Sequence, residues 1–334
     1  MTINIKKTEE LRTYLEKHQN LASKDLKNIR PLSGGVSNRT MMVEHRDGRS
    51  WVIKQALEKL RVQVDWFCDP IRIRRESEAI RFLNTHVPQA RVPKFWFEDQ
   101  EQNILGMESV PNPHQVWKLM LFQEDVNSSC VVQFAEMLAG IHGCGPETSG
   151  MPSLFEDITF FEALRLEPYY GYAASKLPKA EKFLKDLMES TRLEKRFLVH
   201  GDFSPKNVLV HQEMLSLIDH EVIHLGDAAF DLGFALTHLL AKSIHLPKSQ
   251  TLFQQACHEF ASVYLQVISR HAKSSGLESR WVRHTFGCLL ARVHGRSPLE
   301  YLLDSEKETL TTRVLQNVAK PPENIYTLID CISC

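Results

Sequence analysis

The sequence predicts an α+β protein of two lobes, a small β-rich N-terminal lobe over residues 1–108 and a larger, mainly helical lobe over residues 109–334. Two observations support this prediction. Short apolar segments separated by polar turns fill residues 29–107, a pattern typical of antiparallel strands. After Pro111 the apolar residues instead recur at the helical period, most clearly over residues 131–142.

Turn and cap residues place the individual elements. Thr8 is predicted to cap a helix over residues 8–18, and Asp69-Pro70 is predicted to begin a helix that ends near His86. Ser297-Pro-Leu-Glu300 has the spacing of a capping box and predicts a later helix. Strands are expected at residues 29–33, 39–44, 51–55, 93–98, 103–107, 197–200, 208–210 and 215–218.

The charge balance argues against a nucleic acid or a membrane surface as partner. Lys and Arg total 40 and Asp and Glu total 41, which gives a formal net charge of -1. No apolar run reaches the roughly 18 residues that a membrane span needs, and the N-terminus lacks the apolar core of a secretion signal. The seven cysteines have no regular spacing, so we expect reduced thiols and a cytoplasmic protein. We interpret the terminal Cys331 and Cys334 as part of a tail.

One part of the sequence carries most of the predicted chemistry, namely His200-Gly-Asp-Phe-Ser-Pro-Lys-Asn207 followed by Leu217-Ile-Asp219. On a loop between strands, Asp202 can orient an acceptor hydroxyl and take its proton, while Asn207 supplies an oxygen to a metal ion. Asp219, at the end of the next strand, can bind Mg²⁺ held between nucleotide phosphates. An isolated Asp and Asn at this spacing would more often cap turns. The flanking strands and the strand-end Asp219 favour phosphoryl transfer.

These residues, with Ile218-Asp-His-Glu221 and Gly226-Asp-Ala-Ala-Phe-Asp231-Leu, resemble the aminoglycoside phosphotransferase and choline kinase superfamily. That superfamily includes methylthioribose, fructosamine and homoserine kinases. The resemblance runs from about residue 29 to 300 and is dense only near residues 200–235. It implies a protein-kinase-like fold, ATP and Mg²⁺ as cofactors and a small-molecule hydroxyl acceptor, in a monomer or a homodimer.

The resemblance also implies roles for single residues. By similarity Asp202 is the catalytic base, and Asn207 and Asp219 are the metal ligands. Asp231 corresponds to a buried carboxylate that braces the catalytic loop, a role that is compatible with its capping the following helix.

Lys54 lies on a predicted strand between apolar neighbours, where kinases place a lysine that contacts the nucleotide phosphates. Taken alone, this pattern also fits a solvated lysine on an edge strand. A phosphate-binding lysine needs a carboxylate partner on the following helix, and Glu76 and Glu78 are both candidates. Because Glu76 shares one helical face with Ile73 and Ile80, we predict that Glu76 is the partner.

Two further segments are assigned to the nucleotide by their position relative to Lys54. The turn Ser33–Asn38 would cover the phosphates with backbone N–H groups, although an ordinary hairpin turn would look the same. At the junction of the lobes, the C=O of Glu108 and the N–H of Val110 would bind adenine. The predicted nucleotide-binding residues of the turn are Gly34, Gly35, Ser37 and Asn38.

The sequence disfavours a protein kinase, because only residues 220–230 separate Asp219 from Asp231 and leave no room for an activation segment. The acceptor is therefore expected to be a small metabolite or an antibiotic, and its identity is open. Arg292 and Arg296 either face the acceptor or lie exposed on a turn between helices. The alternative function is a non-catalytic, nucleotide-binding pseudokinase or scaffold.

Overall fold

The protein has the two-lobed α+β architecture that the sequence predicts, in a computed structural model that describes residues 3–32, 35–61, 65–270 and 276–333. A five-stranded antiparallel sheet of order β1-β2-β3-β5-β4 forms the N-terminal lobe. Two small sheets, β6-β8-β9 and β7-β10, lie in the helical lobe. The strands are β1 Leu26–Pro31, β2 Asn38–His45, β3 Ser50–Ala56, β4 Phe95–Asp99, β5 Ile104–Glu108, β6 Gln115–Val116, β7 Phe197–Val199, β8 Val208–His211, β9 Met214–Leu217 and β10 His224–Gly226.

Helices supply the rest of the regular structure. A π-helical segment, Glu162–Gly171, lies between α5 and α6 and includes Pro168. The α-helices are α1 Thr8–Gln19, α2 Arg72–His86, α3 Trp117–Phe122, α4 Ser128–His142, α5 Thr159–Phe161, α6 Tyr172–Lys176, α7 Glu181–Leu193, α8 Ala228–His245, α9 Gln250–Ile268, α10 Leu277–His294, α11 Asp304–Asn317 and α12 Ile325–Ser333.

Two apolar clusters hold these elements together. On one face of the five-stranded sheet, α1 buries Leu11 and Leu15 against Ile53 and Phe97. Each fully buried leucine stabilises the fold by about 1.5–3 kcal/mol. The other face of the sheet packs on α2 and joins the core of the helical lobe, so that one continuous apolar cluster spans both lobes. The two lobes are therefore built on a common core.

Three predicted helix starts are wrong in detail. Ser297 does not begin a helix, and the next helix, α11, starts only at Asp304. At that start the Glu306 carboxylate accepts the Leu303 N–H at 2.8 Å. Thr8 is the first residue of α1 and not its cap. The Asp69 carboxylate accepts the Ile71 N–H at 2.9 Å, and α2 begins after it, at Arg72. In each case the sequence contains a residue suited to a turn or a cap, but the position of the helix start relative to that residue differs from the predicted one.

The cysteines form no disulfide among the described residues, and Cys68, Cys130, Cys144, Cys257 and Cys288 are buried. Cys331 is exposed, and Cys334 lies outside the part of the chain that the structure describes. In that same part, no helix is both long and apolar enough to cross a membrane.

Candidate active site

Asp231 fixes the loop that follows β7. Its carboxylate is fully buried and accepts the backbone N–H groups of His200 at 2.6 Å and Gly201 at 2.8 Å. Gly201 has φ 78°, and a Cβ there would approach Val222 Cγ2 to 2.9 Å, so only glycine fits this tight turn. The helix cap that the sequence also allowed for Asp231 belongs to Asp227, which accepts the Ala229 N–H at 3.0 Å. Asp231 thus holds the loop directly.

Three donors converge on one oxygen of Asp202. Its Oδ2 accepts from Arg165 Nη2 at 2.9 Å, Lys206 Nζ at 3.0 Å and Asn207 Nδ2 at 2.8 Å. The other oxygen, Oδ1, is buried and has no hydrogen-bond partner. Burial alone would raise the pKa of Asp202, but the positive charges of Arg165 and Lys206 outweigh it and hold that pKa below its ordinary value. Asp202 is therefore an oriented carboxylate with one oxygen free to accept a proton.

Asn207 and Asp219 offer the oxygens that a magnesium ion prefers. The amide nitrogen of Asn207 donates to the backbone O of Asp202 at 2.9 Å and to its carboxylate, which leaves Oδ1 of Asn207 as the amide oxygen available to a metal ion. Asp219 has φ 72°, an uncommon conformation for a residue other than glycine. Carboxylate and amide oxygens fit Mg²⁺, which is commonly held by one or two carboxylates together with substrate phosphates. The described residues contain no cluster of three or more His, Cys, Asp or Glu side chains that could hold a metal ion.

Lys54 connects the two lobes through carboxylates. Its Nζ lies 2.5 Å from Glu76 Oε1 and 3.0 Å from Asp219 Oδ1. Burial favours the neutral form of Lys54, but the charges of Asp219 and Glu76 raise its pKa above the ordinary value. Burial raises the pKa of Glu76 to about 7, against the opposing effect of Lys54. Glu78 points to the other side of α2 and pairs with Arg81 at 2.7 Å.

The turn before β2 is held by two arginines. Arg61 donates to the backbone O of Gly35 at 2.7 Å, and Arg72 donates to the backbone O of Ser37 at 2.6 Å. A Cβ added at Gly35 would meet no protein atom within 4 Å, so the space beside this residue is open. Gly34 lies outside the described residues.

Asn38 ties this turn to the helical lobe. Its amide donates to Glu221 Oε2 at 3.1 Å, and Arg72 Nε donates to the same oxygen at 3.1 Å. Glu221 is buried and lies two residues after Asp219. The predicted phosphate-binding turn is therefore hydrogen-bonded to the segment that carries the predicted metal ligand.

Glu108 and Val110 lie where β5 leaves the sheet. Glu108 is the last residue of β5, and its N–H donates to the backbone O of Lys94 at 2.8 Å. Val110 is buried just beyond the strand. Their contact with adenine remains a prediction.

A sequence comparison identifies the family. Residues 28–257 match the phosphotransferase enzyme family. The chain belongs to this family. The match confirms the resemblance to aminoglycoside phosphotransferases and choline kinases that the motifs around Asp202 predicted.

Individual relatives of this phosphotransferase family member are distant. A methylthioribose kinase of Enterobacter sp. (strain 638) is 25% identical, over 59% of this chain and 55% of that protein. The chain thus spans about half the length of this curated relative. A choline/ethanolamine kinase family protein from Mesorhizobium loti is 14% identical with a TM-score of 0.58, over 98% of this chain and 99% of that one. An amicoumacin kinase in complex with AMP-PNP and Ca²⁺ has 14% identity and a TM-score of 0.56, over 96% and 98% of the two chains. These two structures share the fold.

Three residues of the candidate site were missed from the sequence. Lys206 lies inside the recognised motif, and its spacing of four from Asp202 was a usable signal. Glu221 also lies in a recognised segment, but no local pattern shows that it reaches Asn38. Arg165 comes from the π-helical segment and has no sequence signal, because it meets Asp202 only through the packing of that segment against the loop.

Proposed function

We propose that this protein is an ATP- and Mg²⁺-dependent kinase that transfers the γ-phosphate of ATP to a hydroxyl group of a small molecule. One observation carries the proposal. Asp202 has a buried, unpartnered Oδ1 in the same electrostatic network as Asp219 and its partner Lys54. This arrangement supports a base for the acceptor next to a binding site for nucleotide phosphates.

Asp202 orients the acceptor hydroxyl through Oδ1 and receives its proton as the phosphoryl group is transferred. The three donors on Oδ2 prevent the carboxylate from turning. Because Arg165 and Lys206 lower its pKa, Asp202 is ionised at neutral pH. The two cations also lie beside the transfer site, where they stabilise negative charge on the moving phosphoryl group.

Lys54 binds the phosphates of ATP, and Glu76 holds its ammonium group in position. Asn207 and Asp219 would hold Mg²⁺, which neutralises phosphate charge during transfer. Gly35, Ser37 and Asn38 cover the phosphates from above, and Glu108 and Val110 contact adenine. The AMP-PNP and Ca²⁺ bound to the similarly folded amicoumacin kinase support a nucleotide and a divalent cation as ligands of this fold.

A pseudokinase would lack at least one member of the catalytic set. Lys54, Asp202, Asn207 and Asp219 are all present, and hydrogen bonds orient each of them. These contacts favour an enzyme over a scaffold.

Calorimetry with ATP, in the presence and absence of Mg²⁺, tests nucleotide binding. We expect MgATP to bind, Lys54→Ala to weaken that binding strongly, and Lys27→Ala to leave it unchanged, because Lys27 is an exposed lysine of the same sheet. An ADP-release screen over hydroxylated metabolites and antibiotics then tests transfer. No binding at millimolar MgATP would refute the proposal.

A further inference from the structure

Three basic side chains from two neighbouring helices are buried beside the proposed transfer site. His238 and Lys242 lie on α8 and Arg292 lies on α10, with exposed fractions of 4%, 0% and 8%. We call these three residues the basic pocket. Aromatic rings line it: Lys242 Nζ lies 5.1 Å from the Phe122 ring centroid and 5.5 Å from that of Tyr301.

The polar atoms of the basic pocket are incompletely paired. His238 Nε2 and Arg292 Nε are buried and have no hydrogen-bond partner. Lys242 Nζ donates to the backbone O of His238 at 3.1 Å, and no carboxylate of the described chain lies within ion-pair distance of it. Arg292 also braces a turn through Ser297, but this contact uses Nη1 and leaves Nε free.

The charges around Lys242 are mostly repulsive. Burial, followed by the nearby positive charges of Lys118 and Arg292, lowers the pKa of Lys242 to about 7, while Glu300 acts in the opposite direction. Glu300 is itself paired with Lys118 at 2.7 Å. Because Glu300 is already engaged by Lys118, the positive charges of Lys242 and Arg292 are incompletely compensated, which is costly to the fold. A bound anion would remove that cost.

A single aromatic ring connects the basic pocket to Asp202. The guanidinium carbons of Arg292 and Arg165 each lie 5.7 Å from the centroid of the Tyr169 ring, and Arg165 contacts Asp202. The Tyr169 ring stacks on Phe234 at 5.8 Å. Lys206, the other cation on Asp202, is close enough for its charge to lower the pKa of His238.

We propose that the basic pocket binds an anionic group, a carboxylate or a phosphate, of the acceptor whose hydroxyl lies at Asp202. This inference rests on the proposed kinase function. The acceptor would span from Asp202 past Tyr169 to Arg292 and Lys242, with its carbon skeleton against the aromatic rings. A cationic acceptor is disfavoured, because it would place a further positive charge among Lys118, Lys206, Lys242 and Arg292.

The test compares hydroxy acids with their uncharged amides as acceptors in an ADP-release assay. We expect the wild type to prefer the acids, and Lys242→Met to lower kcat/KM for the acids by about ten- to a hundredfold with little effect on the amides. Methionine keeps the volume of the lysine chain and removes the charge, so the variant should fold and should melt at a higher temperature than the wild type. Lys248→Met, at an exposed lysine just after α8, is the matched control and should change neither rate.

A second arm uses inorganic phosphate as the probe, with MgADP present at saturation. Phosphate should raise the Tm of the wild type and of Lys248→Met, and it should not raise the Tm of Lys242→Met. Equal use of acids and amides by the wild type would overturn the inference and leave the kinase function standing. A phosphate shift without any preference for acids would assign the pocket to a free anion and overturn the acceptor assignment. Failure of MgATP to bind would instead refute the kinase function. An unchanged Tm of the wild type on adding phosphate would overturn the anion site.

Discussion

Replacing Asp202 by asparagine should separate proton transfer from nucleotide binding. In the structure Oδ2 faces three donors, so the side-chain oxygen of the introduced asparagine would turn toward Arg165, Lys206 and Asn207. The NH₂ group would then occupy the place of Oδ1. It would present a donor to the acceptor hydroxyl and could not take its proton.

Losing a general base typically costs a factor of about 10²–10⁴ in rate, which corresponds to about 3–5 kcal/mol of transition-state stabilisation. We expect kcat for Asp202→Asn to fall by this factor and the affinity for MgATP to change little, because Asn207 and Asp219 are retained. The assay is ADP release with the acceptor found in the screen, together with MgATP calorimetry. Asp186→Asn is the control, since Asp186 pairs with Lys182 on the surface of α7.

The same substitution removes the charge that compensates Arg165, whose side chain is 8% exposed. Breaking a buried ion pair costs up to about 3–5 kcal/mol of stability, so thermal unfolding must show that the variant is folded at the assay temperature. Asp202→Glu is the second variant, because it retains the charge but displaces the carboxylate by one methylene group and should also lose turnover. Wild-type turnover by Asp202→Asn with the true acceptor would refute this mechanism.

Three further predictions follow from buried charges. Glu76→Ala should raise KM for ATP at least about tenfold, because Lys54 loses the carboxylate that holds it. Glu78→Ala should leave KM for ATP unchanged, since Glu78 pairs with Arg81. The reverse ranking in steady-state kinetics would contradict this orientation of α2. Asp231→Asn should lower the free energy of unfolding by about 1–3 kcal/mol in urea denaturation, because one of two buried backbone N–H groups loses its acceptor. No measurable change in that free energy would contradict the bracing role. For Lys242 the folded pKa of about 7 lies below the ordinary 10.5, so the unfolded chain binds more protons between these values and stability should rise with pH across that window. Lys242→Met should reduce this slope, which reaches at most about 1.4 kcal/mol per pH unit, and an unchanged slope would argue against the buried charge.

The sequence by itself determined those features that depend on short spacings. Asp202 and Asn207 are five positions apart on one loop, and the structure joins their side chains at 2.8 Å. The helical period on α2 separated Glu76 from Glu78, and Glu76 is the residue that contacts Lys54. The alternation of strands and turns before residue 108 likewise predicted the β-rich lobe. Such features are visible because the polypeptide geometry relates near neighbours in a fixed way.

Capping motifs predicted helix starts less accurately, because several neighbouring positions can begin a helix equally well. The sequence placed a helix start at Ser297, but the chain stays irregular until Asp304. A capping box stabilises a helix only by about as much as one or two hydrogen bonds, and tertiary contacts can outweigh it. Here Ser297 is instead engaged by Arg292.

Only the tertiary structure decided which distant residues complete the site. Arg165 reaches Asp202 across 37 positions of sequence and Arg72 reaches Glu221 across 149. The basic pocket likewise forms only because α8 packs against α10. The sequence shows that an arginine or a histidine is present, but the way the helices pack decides which residue it contacts. Packing depends on the summed burial of many apolar side chains and not on any local pattern. For this reason the sequence predicted a kinase-like reaction centre, whereas the charge of the acceptor that we infer could be read only from the folded chain.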